Sequence, residues 1–169
     1  MSTTPDRSPA GNSTTAHTSS KRSPVQIAAL AFGVVFLLVG IAGFIPGITT
    51  GYDTMQFAGH HSEAMLMGIF QVSILHNIVH LLFGIAGLLL ARTGTAARHY
   101  LLWGGIIYFV LWLYGLFIGH ESPANFVPLN DADNWLHLGL ALAMVALSFL
   151  PRGTQHTVGA PTRSSGRHP

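Results

Sequence analysis

Long uncharged, apolar stretches alternate with short polar segments through the middle of this chain. Four stretches contain no Asp, Glu, Lys or Arg, and they are residues 25–45, 64–91, 100–119 and 134–150. A helix needs about 20 residues to cross a hydrocarbon core of about 30 Å. The pattern therefore predicts an all-α fold with four membrane-spanning helices.

The second stretch is longer than one membrane crossing requires. We expect its helix to tilt or to begin above the membrane, with Ser62 as the N-cap just before Glu63. Pro46 and Pro151 directly follow the first and last stretches, at positions where proline commonly ends a helix. These residues define the predicted ends of the helices.

Both ends of the chain have a different composition from its middle. Residues 1–23 and 152–169 are rich in Ser, Thr, Pro and charged residues and lack apolar runs. Such segments cannot bury enough apolar surface to fold by themselves. We expect two disordered tails around a transmembrane domain at residues 24–151.

The composition excludes several classes of protein. Charged residues make up 8% of the chain, against about 25% in soluble domains, and hydrophobic residues make up 49%. The chain has no cysteine, which excludes disulfides, thiolate metal sites and cysteine nucleophiles. Its ten histidines are the candidates for interior chemistry.

The basic residues predict how the chain is threaded through the membrane. All eight precede the first span, lie between the second and third, or follow the fourth: Arg7, Lys21, Arg22, Arg92, Arg98, Arg152, Arg163 and Arg167. Lys and Arg beside membrane spans are retained in the cytoplasm. We therefore predict a multi-pass protein of the cytoplasmic membrane with both termini in the cytoplasm. The lipid bilayer accounts for the basic pI near 9.4, and no nucleic-acid partner is needed.

A short phrase occurs in both the second and the fourth spans. Asn77 and His80 are separated as Asn134 and His137 are, and a leucine follows each histidine. Both phrases enter the membrane from its outer side. The phrase predicts two similar helical hairpins in parallel orientation, closed into a four-helix bundle.

Glycines extend this similarity to the first and third spans. Gly43 and Gly47 stand at the outer end of one, and Gly115 and Gly119 stand at the outer end of the other. Paired glycines allow helix backbones to approach closely. The same faces offer contacts for a second copy of the chain or for another membrane protein.

Polar residues share one face of the second and fourth spans. His76, Asn77 and His80 lie on one helical face, while Asn134 and His137 lie on another. Counted at 1.5 Å per residue from the cytoplasmic ends, His80 and His137 lie at nearly one depth. Asn77 with His80, and Asn134 with His137, are therefore predicted to form polar clamps, each asparagine satisfying its histidine inside the bundle.

The alternative interpretation is a cofactor. His76, His80 and His137 have the chemistry to ligate a haem iron or a transition metal, and His60 and His61 are further metal candidates in the outer loop. A proton path along the three interior histidines is a third interpretation. The clamp interpretation requires no cofactor, whereas the alternative requires haem or a transition metal.

No hydrolytic or nucleotide-binding motif occurs in the chain. The sequence favours a non-enzymatic membrane protein that organises the envelope or serves as a subunit of a membrane complex. The alternative is a redox or transport protein that binds haem or metal through intramembrane histidines.

Four segments carry a resemblance to a known family. They are residues 23–30, 44–53, 74–88 and 124–138, and the two Asn-x-x-His-Leu phrases are the most specific part. In these segments the chain resembles the bacterial, mainly actinobacterial, four-span membrane proteins grouped as domain of unknown function family 4383. The resemblance covers residues 22–150 and implies an integral protein of the cytoplasmic membrane. It implies no activity.

Overall fold

The computed structural model describes residues 21–119, 122 and 124–153, and the structural statements below concern that part of the chain. Most of the two predicted tails, residues 1–20 and 154–169, lies outside the described residues.

The described chain is mostly helical. Four helices are formed: α1 (Pro24–Ala42), α2 (Ile74–Leu90), α3 (Gly94–Phe117) and α4 (Asp131–Ser148). Of the described helices, α1 and α3 are long and apolar enough to cross a membrane, and α2 is a shorter apolar helix. The prediction of four helices is therefore confirmed.

The predicted start of the second helix is wrong. Residues Met65–Leu66 (β2) and Phe70–Gln71 (β3) form two short strands, and β2 also pairs antiparallel with Thr49–Thr50 (β1). Met67 and Gly68 reverse the chain between β2 and β3 in the left-handed conformation that glycine adopts without steric cost. An uncharged composition does not separate such a sheet from a helix, and the sequence interpretation therefore extended the helix too far.

N-cap side chains determine where three helices begin. Ser73, rather than Ser62, caps α2 by accepting a hydrogen bond from the His76 backbone N–H. Thr93 caps α3 through the Ala96 N–H, so α3 begins at Gly94 instead of residue 100. Asn130 caps α4 and forms a capping box with Asp133.

The helices pack mainly as two antiparallel pairs, α1 with α2 and α3 with α4. Both pairs begin at the same end of the molecule, where Gln26 Nε2 donates hydrogen bonds to the Ala91 and Arg92 carbonyls. The Val25 N–H reaches the Pro151 carbonyl at 3.5 Å at that end. The pairs meet along a core that includes Phe36, Leu101, Tyr108 and Met144.

The two ends of this helical assembly carry opposite charges. Every cation of the described chain is at the end where α1 and α3 begin, and these are Lys21, Arg22, Arg92, Arg98 and Arg152. The described acids lie at the opposite end, on the sheet side: Asp53, Glu63, Asp131 and Asp133. The described cations therefore share one end of the molecule, in agreement with their positions along the sequence, and the described acids lie at the other end.

Candidate functional site

The two helix pairs contain the same close contact. A Cβ on Gly33 of α1 would lie 2.9 Å from Leu88 N and 3.1 Å from Gly84 O of α2. A Cβ on Gly105 of α3 would lie 3.0 Å from both Val145 N and Ala141 O of α4. Since these neighbours are backbone atoms, only glycine allows either approach.

A second repeated contact joins an asparagine to a glycine. The side chain of Asn77 occupies the space beside Gly43, and the side chain of Asn134 occupies the space beside Gly115. A Cβ on either glycine would overlap the asparagine amide. Gly47 and Gly119, the other members of the predicted glycine pairs, have nothing within 4 Å of a Cβ. Only the first glycine of each predicted pair is therefore a packing contact.

Two imidazoles on α2 bind each other. Their spacing places His76 and His80 one helical turn apart, and their Nε2 atoms are 2.8 Å from each other. Both residues are buried, with less than a tenth of their surface exposed. One Nε2 must carry the proton while the other accepts it, so this hydrogen bond requires two different tautomers.

His137 of α4 completes a cluster of rings between the helix pairs. Its ring centroid is 5.2 Å from that of Tyr108 on α3. Tyr108 stacks on Phe36 of α1 with centroids 5.5 Å apart and planes 8° from parallel. Phe36 in turn meets the edge of His80 at 5.5 Å. We call His76, His80 and His137 the imidazole cluster.

The predicted pairing of asparagine with histidine is not formed in the structure. Asn77 Nδ2 contacts Met55 Sδ at 3.9 Å, and His80 pairs with His76. Asn134 Oδ1 and His137 Nδ1 have no hydrogen-bond partner. The asparagines contact glycines and the histidines contact aromatic rings. That these four residues stabilise the bundle stays a prediction.

The metal interpretation gains no support from this geometry. Among the described residues, no group of three or more His, Asp or Glu side chains is arranged to hold a metal ion. His60 and His61 lie in the segment between α1 and α2, with their ring centroids 4.0 Å apart. Haem or metal binding therefore stays a prediction, which elemental analysis and an absorption spectrum of the purified protein would test.

A cleft opens beside the imidazole cluster. Its volume is about 240 Å³, and α2, α3, α4 and the loop before α4 form its walls. The described residues that line it include no Asp, Glu, Lys or Arg, and they are Ser73, Leu75, His76, Val79, His80, Ile107, Tyr108, Leu111, Phe126, Val127 and His137. A smaller cavity of about 70 Å³ lies on the sheet side of the same histidines. The imidazole cluster therefore lies between the cleft and the smaller cavity.

Asp133 joins the sheet to α4. It is 2% exposed, and its Oδ2 accepts hydrogen bonds from the backbone N–H groups of Gln71 (2.9 Å) and Asn130 (3.2 Å). Asn130 Nδ2 donates to the Ile69 carbonyl at 2.7 Å. One helix start thus fixes the position of strand β3 and of the turn before it.

Asp133 precedes the uncharged part of α4, and its surroundings change its acidity. Burial raises the pKa of Asp133 from its ordinary value of 3.8 to about 7, while the two backbone N–H groups act in the opposite direction. The carboxyl group therefore changes its charge close to neutral pH.

Sequence reasoning found the three histidines and missed their neighbours. Phe36 and Tyr108 come from different helix pairs, and no local pattern indicates that they stack. Asp133 is not among the residues that the sequence predicts for the site, although its buried oxygen binds Gln71 from a distant segment. The capping pattern was the one signal available for that residue.

The comparisons with known proteins agree with the resemblance found in the sequence. The profile of a family described as Domain of unknown function (DUF4383) matches residues 26–150. No curated protein and no solved structure matches the chain. The matched region includes all but the first two residues of α1, the other three helices, the sheet and the imidazole cluster, and the chain belongs to the DUF4383 family.

Proposed function

We propose that this protein is a multi-pass integral membrane protein whose four helices all cross the cytoplasmic membrane. The surface of α1 and α3 supports this placement, because only 28% of the residues in the apolar window of each helix are buried. The core helix of a soluble protein would be mostly buried. Leu38, Trp103 and Val110 are instead more than half exposed on the outside of the molecule. Lipid is the solvent that suits such a surface.

The charge separation carries the proposed orientation. The end with Lys21, Arg22 and Arg92 faces the cytoplasm, because cations beside membrane spans are retained there. Both chain termini belong to this side. The sheet, Asp133 and the mouth of the small cavity face outward.

We further propose a non-enzymatic role, as a subunit of a membrane complex or an organiser of the envelope. The outer end supports this role because it presents apolar side chains beyond the helices. Phe57, Met67 and Ile69 are each at least half exposed. Such a surface suits contact with another membrane protein. The variant Phe57→Ser/Met67→Ser should keep the melting temperature of the parent and lower the mass of the native particle in detergent.

Cysteine labelling tests the membrane placement, since the parent chain has no cysteine. We expect Phe57→Cys to react with a membrane-impermeant maleimide on intact cells. Thr95→Cys, at the start of α3, should react only after the membrane is permeabilised. Leu38→Cys, in the second half of α1 and 61% exposed, should stay unreactive because lipid covers it.

The three variants also serve as controls for one another. Equal labelling of Phe57→Cys and Thr95→Cys on intact cells would contradict the orientation. Labelling of Leu38→Cys as rapid as that of Phe57→Cys would contradict the membrane placement itself. Unfolding in detergent should be measured for all three, so that a misfolded variant is recognised.

A further inference from the structure

We propose that the cleft beside the imidazole cluster binds the head of a neutral, lipid-soluble phenol or quinol. The chemistry of the lining disfavours ligands with a charged head. The described lining residues carry no formal charge, and a phosphate or ammonium head would therefore be buried without a counter-ion. A neutral head avoids that cost.

The hydrogen-bonding capacity of the cluster suits a hydroxyl group. Three neutral imidazoles offer three N–H donors and three bare nitrogen acceptors. The bond between His76 and His80 uses one donor and one acceptor. The Nδ1 atoms of His80 and His137 are buried without a partner. A hydroxyl group both donates and accepts, so it can pair with either kind of imidazole nitrogen.

The walls favour an aromatic head. Tyr108 and Phe126 line the cleft, and Tyr108 is held in place by its stack on Phe36. Aromatic rings prefer stacked or edge-to-face aromatic neighbours, so these two walls favour an aromatic ligand. The volume of about 240 Å³ is below the range of about 300 to 1,000 Å³ for sites that enclose a whole ligand. The cleft therefore holds a ring and leaves an apolar tail outside.

The apolar tail of such a ligand can leave the cleft through its mouth. Val79, Ile107 and Phe126 line the cleft and are 44%, 46% and 55% exposed, so that its mouth opens through the apolar side of the molecule. In the proposed placement that side faces the bilayer. The lateral route thus rests on the proposed function, whereas the fit of the ring rests on the cleft alone.

A matched pair of probes tests the proposal. 4-Hexylphenol and hexylbenzene differ by the hydroxyl group, and each is titrated into the full-length protein in detergent, with concentrations expressed per mole of detergent. The readout is the saturable rise in the thermal unfolding midpoint, which reports binding to the folded state. We expect the phenol to bind about tenfold more tightly, which corresponds to about 1.4 kcal/mol, because its hydroxyl gains a hydrogen bond to His137.

Two variants make the test specific. His137→Leu removes one unpartnered imidazole without breaking the bond between His76 and His80, and it should reduce the tenfold preference to about one while hexylbenzene still binds. Persistent hexylbenzene binding shows that the variant is folded. His99→Leu changes an exposed histidine at the other end of α3 and should keep the full preference.

The outcomes separate this inference from the membrane placement. Equal affinity for the two probes, a shift that never saturates, or an unchanged preference in His137→Leu would overturn the proposed site. The detergent measurement does not depend on how the chain is threaded. A failed labelling experiment with intact phenol binding would remove only the lateral route.

Discussion

The two helix pairs share their packing and differ in what that packing holds. Gly33 and Gly105 make the same backbone contact, and Gly43 and Gly115 each receive an asparagine. The two pairs differ at the third residue of their second helix, which is His76 in α2 and Asp133 in α4. His76 binds His80 inside the cluster, whereas Asp133 binds backbone N–H groups of the sheet and loop. A repeated frame therefore supports an imidazole pair on one side and an anchor for the sheet on the other.

The same comparison applies to the rings at the centre. Phe36 and Tyr108 occupy corresponding places on α1 and α3 and stack on each other. One of the two is apolar and touches His80, while the other carries a hydroxyl and touches His137. Of these two rings, Tyr108 lines the cleft and Phe36 supports it from behind.

The largest expected effect comes from the shared glycine contact. Gly33→Ala places a Cβ against backbone atoms of α2, which cannot rotate away, and we expect a loss of about 1 to 3 kcal/mol in the free energy of unfolding. Gly139→Ala on α4 is the matched control, because nothing lies within 4 Å of its Cβ. Denaturant unfolding in mild detergent measures both. A Gly33→Ala variant as stable as Gly139→Ala would disprove the close approach.

The asparagine contact should show coupling in both pairs. Gly43→Ala overlaps Asn77, and shortening that residue with Asn77→Ala should restore part of the lost stability. Double-mutant cycles of contacting residues give coupling energies of about 0.5 to 3 kcal/mol. The cycle of Gly115→Ala with Asn134→Ala should give a coupling of the same sign. Additive effects in either cycle would contradict the glycine–asparagine contact in that helix pair.

Replacing the imidazole of each pair should lower the free energy of unfolding by different amounts. His80→Leu leaves His76 Nε2 buried without its partner, and we expect a loss of about 1 to 3 kcal/mol. His137→Leu breaks no hydrogen bond, so its loss should be smaller. Thermal unfolding of the two variants side by side checks the order. Equal losses would mean that the bond between His76 and His80 is not what separates them.

The sequence predicted the four helices and their pairing into two hairpins, but it did not predict the side-chain contacts of the site. The repeated Asn and His phrase predicted two similar hairpins because its residues share a helix face with each other. Ser73 and the strands after Ser62 were missed, since an uncharged stretch fits either a helix or a buried sheet. The partner of each asparagine lies on another helix at the Gly43 or Gly115 position, and spacing along one helix cannot indicate it.

The last expected effect is a dependence of stability on pH at Asp133. Its folded pKa of about 7 lies above the ordinary value of 3.8, so its contribution to stability is fully present below about pH 4 and is lost as the pH rises to 7. Asp133→Asn keeps an oxygen acceptor and cannot ionise. The variant should therefore gain stability relative to the parent between pH 4 and 8, as measured by the difference between their unfolding midpoints. A constant difference across that range would contradict the raised pKa.

The central claim is that both helix pairs begin at the same end of the molecule, where Ser23 meets Gly153, and a cross-link tests it directly. A Cβ on Gly153 would lie 3.2 Å from the Ser23 Cβ, close to the separation of about 3.5 to 4.5 Å in disulfides. In the cysteine-free chain, Ser23→Cys/Gly153→Cys should oxidise within one molecule and lose both thiols to a maleimide-polymer gel shift. The control Ser23→Cys/Gly119→Cys should keep both thiols, because Gly119 follows the other end of α3. Efficient cross-linking of the control, or none in the test variant, would contradict the account.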